Sequence, residues 1–186
     1  KQLDSTWVWL WIDFGHAYES IGLYDKAEAM FLKAISLDST YYMTYQRLGD
    51  LYFYKLNKPL KAESLWQKAL SIEPNDPQTL LSVANVRKDS DNQQASQYYL
   101  KALAQDPGDE STLAQLINIY RSTGKVESGI HDLIRITQLP YSQNANLYFQ
   151  IGLLYLDLAR PDSAHAFFET CLRLDPDNFF GPLGMA

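Results

Sequence analysis

The chain has 186 residues, of which 46% are hydrophobic and 20% charged, with a formal net charge of −6. Such a mix describes a globular chain long enough for a sizeable core, and it excludes a disordered or fibrous one. The acidic balance excludes a binder of nucleic-acid backbone, which needs clustered Lys and Arg.

A single cysteine, Cys171, excludes an internal disulfide framework and a cysteine-rich zinc site. It suits a reducing compartment such as the cytoplasm, and a cysteine-poor periplasmic protein equally well. From the start of the chain, Leu3-Asp4-Ser5-Thr6 repeats Leu37-Asp38-Ser39-Thr40, so Lys1 to Trp7 read as the tail of an upstream repeat. The apolar run Trp7-Val8-Trp9-Leu10-Trp11-Ile12 is cut by Asp13, His16 and Glu19, well short of the roughly 18 apolar residues that a membrane-spanning helix needs.

Next comes Trp11-x-x-Phe14-Gly15-x-x-Tyr18, whose apolar letters fall at i, i+3, i+4 and i+7, one face of a helix. Tyr45-x-x-Leu48-Gly49-x-x-Tyr52 repeats it. The polar stretch Lys55-Leu56-Asn57-Lys58 then predicts a turn, and Pro59 suits the first turn of a new helix. That helix carries Ala62-x-x-x-Trp66-x-x-Ala69 and stops at Ile72-Glu73-Pro74. The later copies open on Leu80, Val83 and Ala84 (with Arg87 in place of tyrosine), on Leu113, Leu116, Ile117 and Tyr120, and on Tyr148-x-x-Ile151-Gly152-x-x-Tyr155.

In the second helices a small residue recurs as Ala27, Ala62, Ala95, Gly129 and Ala164, at steps of 35, 33, 34 and 35. A large residue follows four positions later: Phe31, Trp66, Tyr99, Leu133 and Phe168. Small residues let two helix backbones approach at the closer end of the usual ~8–10 Å, and the large ones fill the space beside the contact. A single hairpin cannot bury both of its faces, so each repeat stacks on the next.

The chain therefore reads as a single array of five repeats at 8–41, 42–76, 77–109, 110–144 and 145–178, with partial repeats at 1–7 and 179–186. Neither end carries the polar capping face of a terminal repeat. The array is accordingly expected to be excised from a longer one, with its native N-terminus out of view, and an added repeat at each side should raise its melting temperature.

A helix–turn–helix period near 34 with W-x2-L-G-x2-Y, then A-x3-F, then P, resembles the tetratricopeptide repeat family. The resemblance implies an all-α fold, an α-α superhelix of antiparallel helix pairs with a right-handed sense. It also implies a non-catalytic protein–protein interaction scaffold that holds a partner segment in a concave groove lined by the first helix of each repeat. Carried over by register, the groove positions include Trp9, Ile12, Met43, Gln46, Asp50, Ser82 and Phe149. The expected contacts are Arg47, Phe53, Tyr54, Asn85, Gln115, Asn118 and Gln150. Asn85 and Asn118 share one position in consecutive repeats, and Gln115 and Gln150 share another. An amide both donates and accepts, so it can grip a peptide backbone whatever its sequence. Aromatic residues are favoured binding anchors.

The family's clamp for chaperone C-terminal carboxylates uses Lys and Asn in the first repeat. Here those positions hold Ile12 and His16, and that partner is not expected. Nor is catalysis. His16, His131 and His165 fall in three different repeats without metal-ligand spacing. Cys171 occupies a slot held elsewhere by alanine, and His165, six residues away on the same helix, points elsewhere. No glycine-rich phosphate loop is present, and no cofactor or metal is expected. The partner is a protein or peptide, with no nucleic acid and no membrane insertion. Two alternatives stand beside the scaffold: a targeting arm of a larger enzyme or sensor, and a structural element that self-associates through exposed array ends.

Overall fold

In a computed structural model, residues 6–176 are described. Among them every regular element is helical: α1 (Thr6–Ser20), α2 (Tyr24–Leu37), α3 (Tyr42–Asp50, running on through 51–55), α4 (Pro59–Ile72), α5 (Pro77–Arg87), α6 (Asn92–Gln105), α7 (Glu110–Ser122), α8 (Val126–Thr137), α9 (Ala145–Asp157) and α10 (Pro161–Leu174). No described helix is long and apolar enough to cross a membrane.

Local chemistry sets the helix ends. Asp76, Asp91, Asp109 and Asn144 each accept a backbone N–H from the first turn of the helix that follows, satisfying donors that would otherwise lack partners. Pro59 and Pro161 stand at the start of α4 and α10, where their missing N–H is not needed. Gly22 (φ 78°), Gly124 (φ 68°), Asn57 (φ 50°) and Ala159 (φ 54°) close the inter-helix turns in the left-handed region.

Two contact units divide the chain, Lys1–Val86 and Arg87–Ala186. In the first, α1 pairs with α2, α3 with α4, and α2 also packs on α3. Gly15 lies under Phe31, where an added Cβ would stand 2.6 Å from the ring, and Gly49 lies under Trp66 at 2.5 Å. Tyr52 ties α3 to the preceding hairpin by donating its hydroxyl to Glu28 at 2.7 Å. In the second unit α6 packs on α7, α7 on α8, α8 on α9 and α9 on α10. Phe168 covers Gly152 and shares a buried cluster with Phe149, Ala164 and Cys171.

Two boundaries differ from the reading of the sequence. Thr6 and Trp7 belong to α1 rather than to a preceding tail; residues 1–5 and the partial repeat at 179–186 lie outside the described residues. Lys55, expected in the turn, ends a π-helical turn, Leu51–Lys55, in which Leu56 donates to the Leu51 carbonyl five residues back. The cause is length. Ten positions separate Tyr52 from Ala62, whereas nine separate Tyr18 from Ala27, Tyr120 from Gly129 and Tyr155 from Ala164. A π turn absorbs the extra residue inside the helix. Helix α5 ends on Arg87, whose guanidinium donates to Gln94 where other repeats use tyrosine.

Candidate functional site

In the second unit, α7 and α9 place their polar letters around one depression of about 110 Å³. Asn118 and Arg121 of α7 and Asn146 and Gln150 of α9 line it, together with Leu113, Ala114 and Ile117. Leu113 and Ile117 are buried, so amides and a guanidinium stand around an apolar floor. The floor exists because the i, i+4 spacing of Leu113 and Ile117 points both into the helix interface, while Asn118 and Arg121 follow on the open face. Gln150 donates to Asn146 at 3.4 Å, and Arg121 pairs with Asp157 at 2.7 Å. Glu110, at the start of α7, lines the same depression. The site thus offers acid at one end of α7, a guanidinium at the other, and amides between them.

Gln115 is half-buried on α7 and does not line this depression; Asn118 is exposed. The sequence placed Asn118 and Gln150 at different register positions, and the fold brings them to one hollow. Glu110 was missed. As the first residue of α7 it precedes every position the repeat register marks, and its acidic character beside a helix start was the only signal.

In the first unit the candidate contacts gather on α3 and its π turn. Phe53 and Tyr54 meet edge to face at 4.9 Å, and Phe53 leans on Trp66 at 5.5 Å. Tyr54 is 61% exposed, so it is the free ring of the pair. Trp66 Nε1 donates to Asp50 at 3.1 Å, and Arg47 stands 4.0 Å from the same carboxylate. Burial pushes the Asp50 carboxyl up to about 6, against the opposing pull of the Trp66 hydrogen bond and Arg47. Asn85 lies exposed on α5.

Several register positions expected in the groove serve packing instead. Ile12, Gln46, Ser82 and Phe149 are buried at 3%, 3%, 3% and 8% exposure. Trp9 meets the ring of Tyr41, the residue just before α3, edge to face at 4.9 Å. Of the histidines, His16 and His165 each stand near a glutamate of their own helix, at 3.7 and 3.4 Å. Cys171 is a free, buried thiol that burial pushes upward. Among the described residues no group of three or more His, Cys, Asp or Glu side chains could hold a metal ion.

The family model of the tetratricopeptide repeat matches residues 10–41 and 145–178. A human protein O-mannosyl-transferase, TMTC3, is 25% identical over 159 residues, which is 82% of this chain and 17% of that protein's length. Among solved structures, YrrB, a tetratricopeptide protein with an unusual peptide-binding site, superposes with a TM-score of 0.59 at 19% identity, covering 93% of this chain and 89% of its own. The first such domain of Spaghetti (RPAP3), bound to the HSP90 peptide SRMEEVD, gives 0.59 at 20% identity over 66% of this chain and 97% of its own. The matched segments carry the Gly15–Phe31 and Gly152–Phe168 crossings, and the chain has the all-α solenoid fold of the tetratricopeptide repeat structures it resembles.

Proposed function

We propose that the chain is a non-catalytic interaction scaffold that seats an extended segment of a partner protein against the first helices of its repeats. The observation that carries this is the hollow of α7 and α9, where Asn118, Asn146 and Gln150 stand over buried Leu113 and Ile117. Amides supply both donors and acceptors to a peptide backbone, and the apolar floor accepts a side chain between them. Peptide binding by YrrB and by the Spaghetti domain supports the reading by analogy of fold. The partner is not the carboxylate-bearing chaperone tail, because Ile12, at the clamp's lysine position, is buried.

The test uses peptides selected on the purified chain from a random-sequence display library. Asn118→Ala with Gln150→Ala is expected to weaken the selected peptides at least about tenfold, or ~1.4 kcal/mol, with an unchanged melting temperature. Unaltered affinity, or failure to select any peptide, would sink the reading. The acidic heptapeptide SRMEEVD serves as a control that should not bind. A second reading is favoured by one observation, the similarity to a stretch of TMTC3: the scaffold is an arm that presents acceptor proteins to a larger enzyme. It predicts that the selected peptides match segments of that enzyme's acceptors.

A further inference from the structure

Helix α8 has 12 residues, whereas α2, α4, α6 and α10 each have 14. The connection that follows it is longer in turn. It covers seven residues, 138–144, where 38–41, 73–76 and 106–109 need only four. This loop is pinned from inside. Ser142 is 1% exposed, and its hydroxyl lies 2.7 Å from the Thr137 carbonyl and 2.6 Å from that of Leu139. Just before it, Tyr141 sits in the left-handed region at φ 67° and is 99% exposed. That backbone region is unfavourable for a bulky side chain and marks a place to look for function. A ring so exposed gains no packing from the described residues to offset the strain.

Leu139 of the same loop lines a cleft of about 270 Å³ between α6 and α8. Helix α6 supplies Leu100 and Ala104, one turn apart, and α8 supplies Ile136. The exposed Lys101 and Arg135, with Asp132, complete the lining. The Asp132 carboxylate already accepts the Tyr120 hydroxyl at 2.7 Å, so one engaged acid stands against two cations over an apolar floor. Lys33 and Lys68 hold the same register position in the first two repeats. The cleft beside the cations, not the cations alone, therefore makes the site.

We propose that this cleft, with Tyr141 beyond it, is a second interaction surface, which takes a partner segment carrying aliphatic side chains beside carboxylates. Its volume falls below the ~300–1,000 Å³ of small-molecule pockets and suits one or two aliphatic side chains of a larger partner. Carboxylates on that segment meet Lys101 and Arg135, which select it over a neutral or basic one. Tyr141, held in place by Ser142, adds an aromatic anchor of the kind favoured at binding hot spots. None of these residues lines the hollow of α7 and α9, so the surface stands or falls apart from that site.

The test selects peptides from a random-sequence display library on the purified chain bearing Asn118→Ala with Gln150→Ala, in which the hollow is disabled. The selected peptides should carry Leu, Ile or Val within two or three positions of Asp or Glu. Lys101→Glu with Arg135→Glu should weaken them at least about tenfold, and Leu139→Asp should do the same. Melting temperatures should stay within about 2 °C, since Lys101, Arg135 and Leu139 are exposed. If the charge reversal shifts the melt further, Lys101→Gln with Arg135→Gln gives the same reading without new charge. Tyr141→Asn keeps the left-handed turn, which asparagine tolerates. It should weaken binding at least about threefold without lowering the melting temperature. The proposal is overturned if no peptide is selected, if those selected lack carboxylates, or if the charge-reversed chain or the Tyr141 variant binds them undiminished. It is equally overturned if the unaltered chain self-associates through this cleft, seen as concentration-dependent sedimentation that the charge reversal abolishes.

Discussion

Hairpins α3–α4 and α7–α8 reach the same close helix contact with small and large residues exchanged. In α3–α4 the glycine is on the first helix: a Cβ on Gly49 would stand 2.5 Å from Trp66 Nε1 of the second. In α7–α8 the glycine is on the second helix, and a Cβ on Gly129 would stand 2.5 Å from Tyr120 Cδ2 of the first. Each ring is pinned by an acid at its polar tip. Asp50 holds Trp66 at 3.1 Å, from the first helix; Asp132 holds the Tyr120 hydroxyl at 2.7 Å, from the second. Burial and that carboxylate together push the Tyr120 phenol far above its ordinary range. What the crossing requires is one missing side chain, one ring and one anchor for the ring. Which helix supplies which is free.

The largest expected effect comes from breaking this division of labour. Gly49→Ile drives a branched side chain into a ring that its hydrogen bond to Asp50 holds still, and should cost about 3 kcal/mol. Trp66→Leu alone should cost about as much through the cavity it leaves. The double change Gly49→Ile with Trp66→Leu imports the pair that α7–α8 already uses at these positions, Ile117 and Leu133, both buried. It should recover more than half of the summed loss, read as a coupling energy in urea denaturation. Strictly additive losses would show that the two crossings are not equivalent.

Much of this was legible in the letters. The period, the five hairpins and the stacking positions follow from small and large residues recurring at fixed offsets, because packing depends on volume and volume is visible in a letter. The exchange in α7–α8 was visible only as a weak match: Ile117 where glycine was expected, and glycine at 129 where alanine was. The π turn of 51–55 was present in the sequence as a single extra residue, but length alone does not say whether a loop or a helix takes it up. Of the positions expected to line a groove, Tyr54 and Asn118 are exposed. Gln46, Ser82 and Phe149 were misread, because a residue at the edge of a helix face is turned inward or outward by the neighbouring helix rather than by its own spacing.

The two hairpins differ next in charge. At the same register position α3 has Asp50 and α7 has Asn118. Asp50 is raised from 3.8 to about 6, by burial first, with Glu19 and Asp76 adding to the rise and the Trp66 hydrogen bond and Arg47 opposing it. The folded chain therefore holds that proton more tightly than the unfolded chain. Stability should fall as pH rises from about 4 to about 6, and the penalty should be fully present above it. Asp50→Asn keeps an oxygen for Trp66 and removes the charge. It should add on the order of 2 kcal/mol at pH 7.5 and nothing at pH 4, measured by urea denaturation at both values. The reverse change on α7, Asn118→Asp, places a carboxylate in the open and should leave the pH profile flat. An Asp50→Asn gain of equal size at both pH values would rule out the charge as its cause.

The smallest effect lies at the helix starts. Thr112, 2% exposed, donates its hydroxyl to Asp109, the residue that also caps α7. Thr44 occupies the same register position on α3 and is 0% exposed, yet its hydroxyl has no hydrogen-bond partner. The reason lies three residues earlier, where Tyr41 stands in place of the aspartate and makes no side-chain cap. Its ring packs on Trp9 instead, so a contact between two hairpins has displaced the cap of one of them. Valine keeps the shape of threonine and removes the hydroxyl. Thr112→Val gives up a bonded group and should cost about 1 kcal/mol, whereas Thr44→Val removes a buried polar group that nothing satisfies and should add about 0.5–1 kcal/mol. Opposite signs from one substitution at one register position, read as shifts in the urea midpoint, would trace the difference to the residue at position 41. Equal signs would mean that the hydroxyl of Thr44 finds a partner in solution.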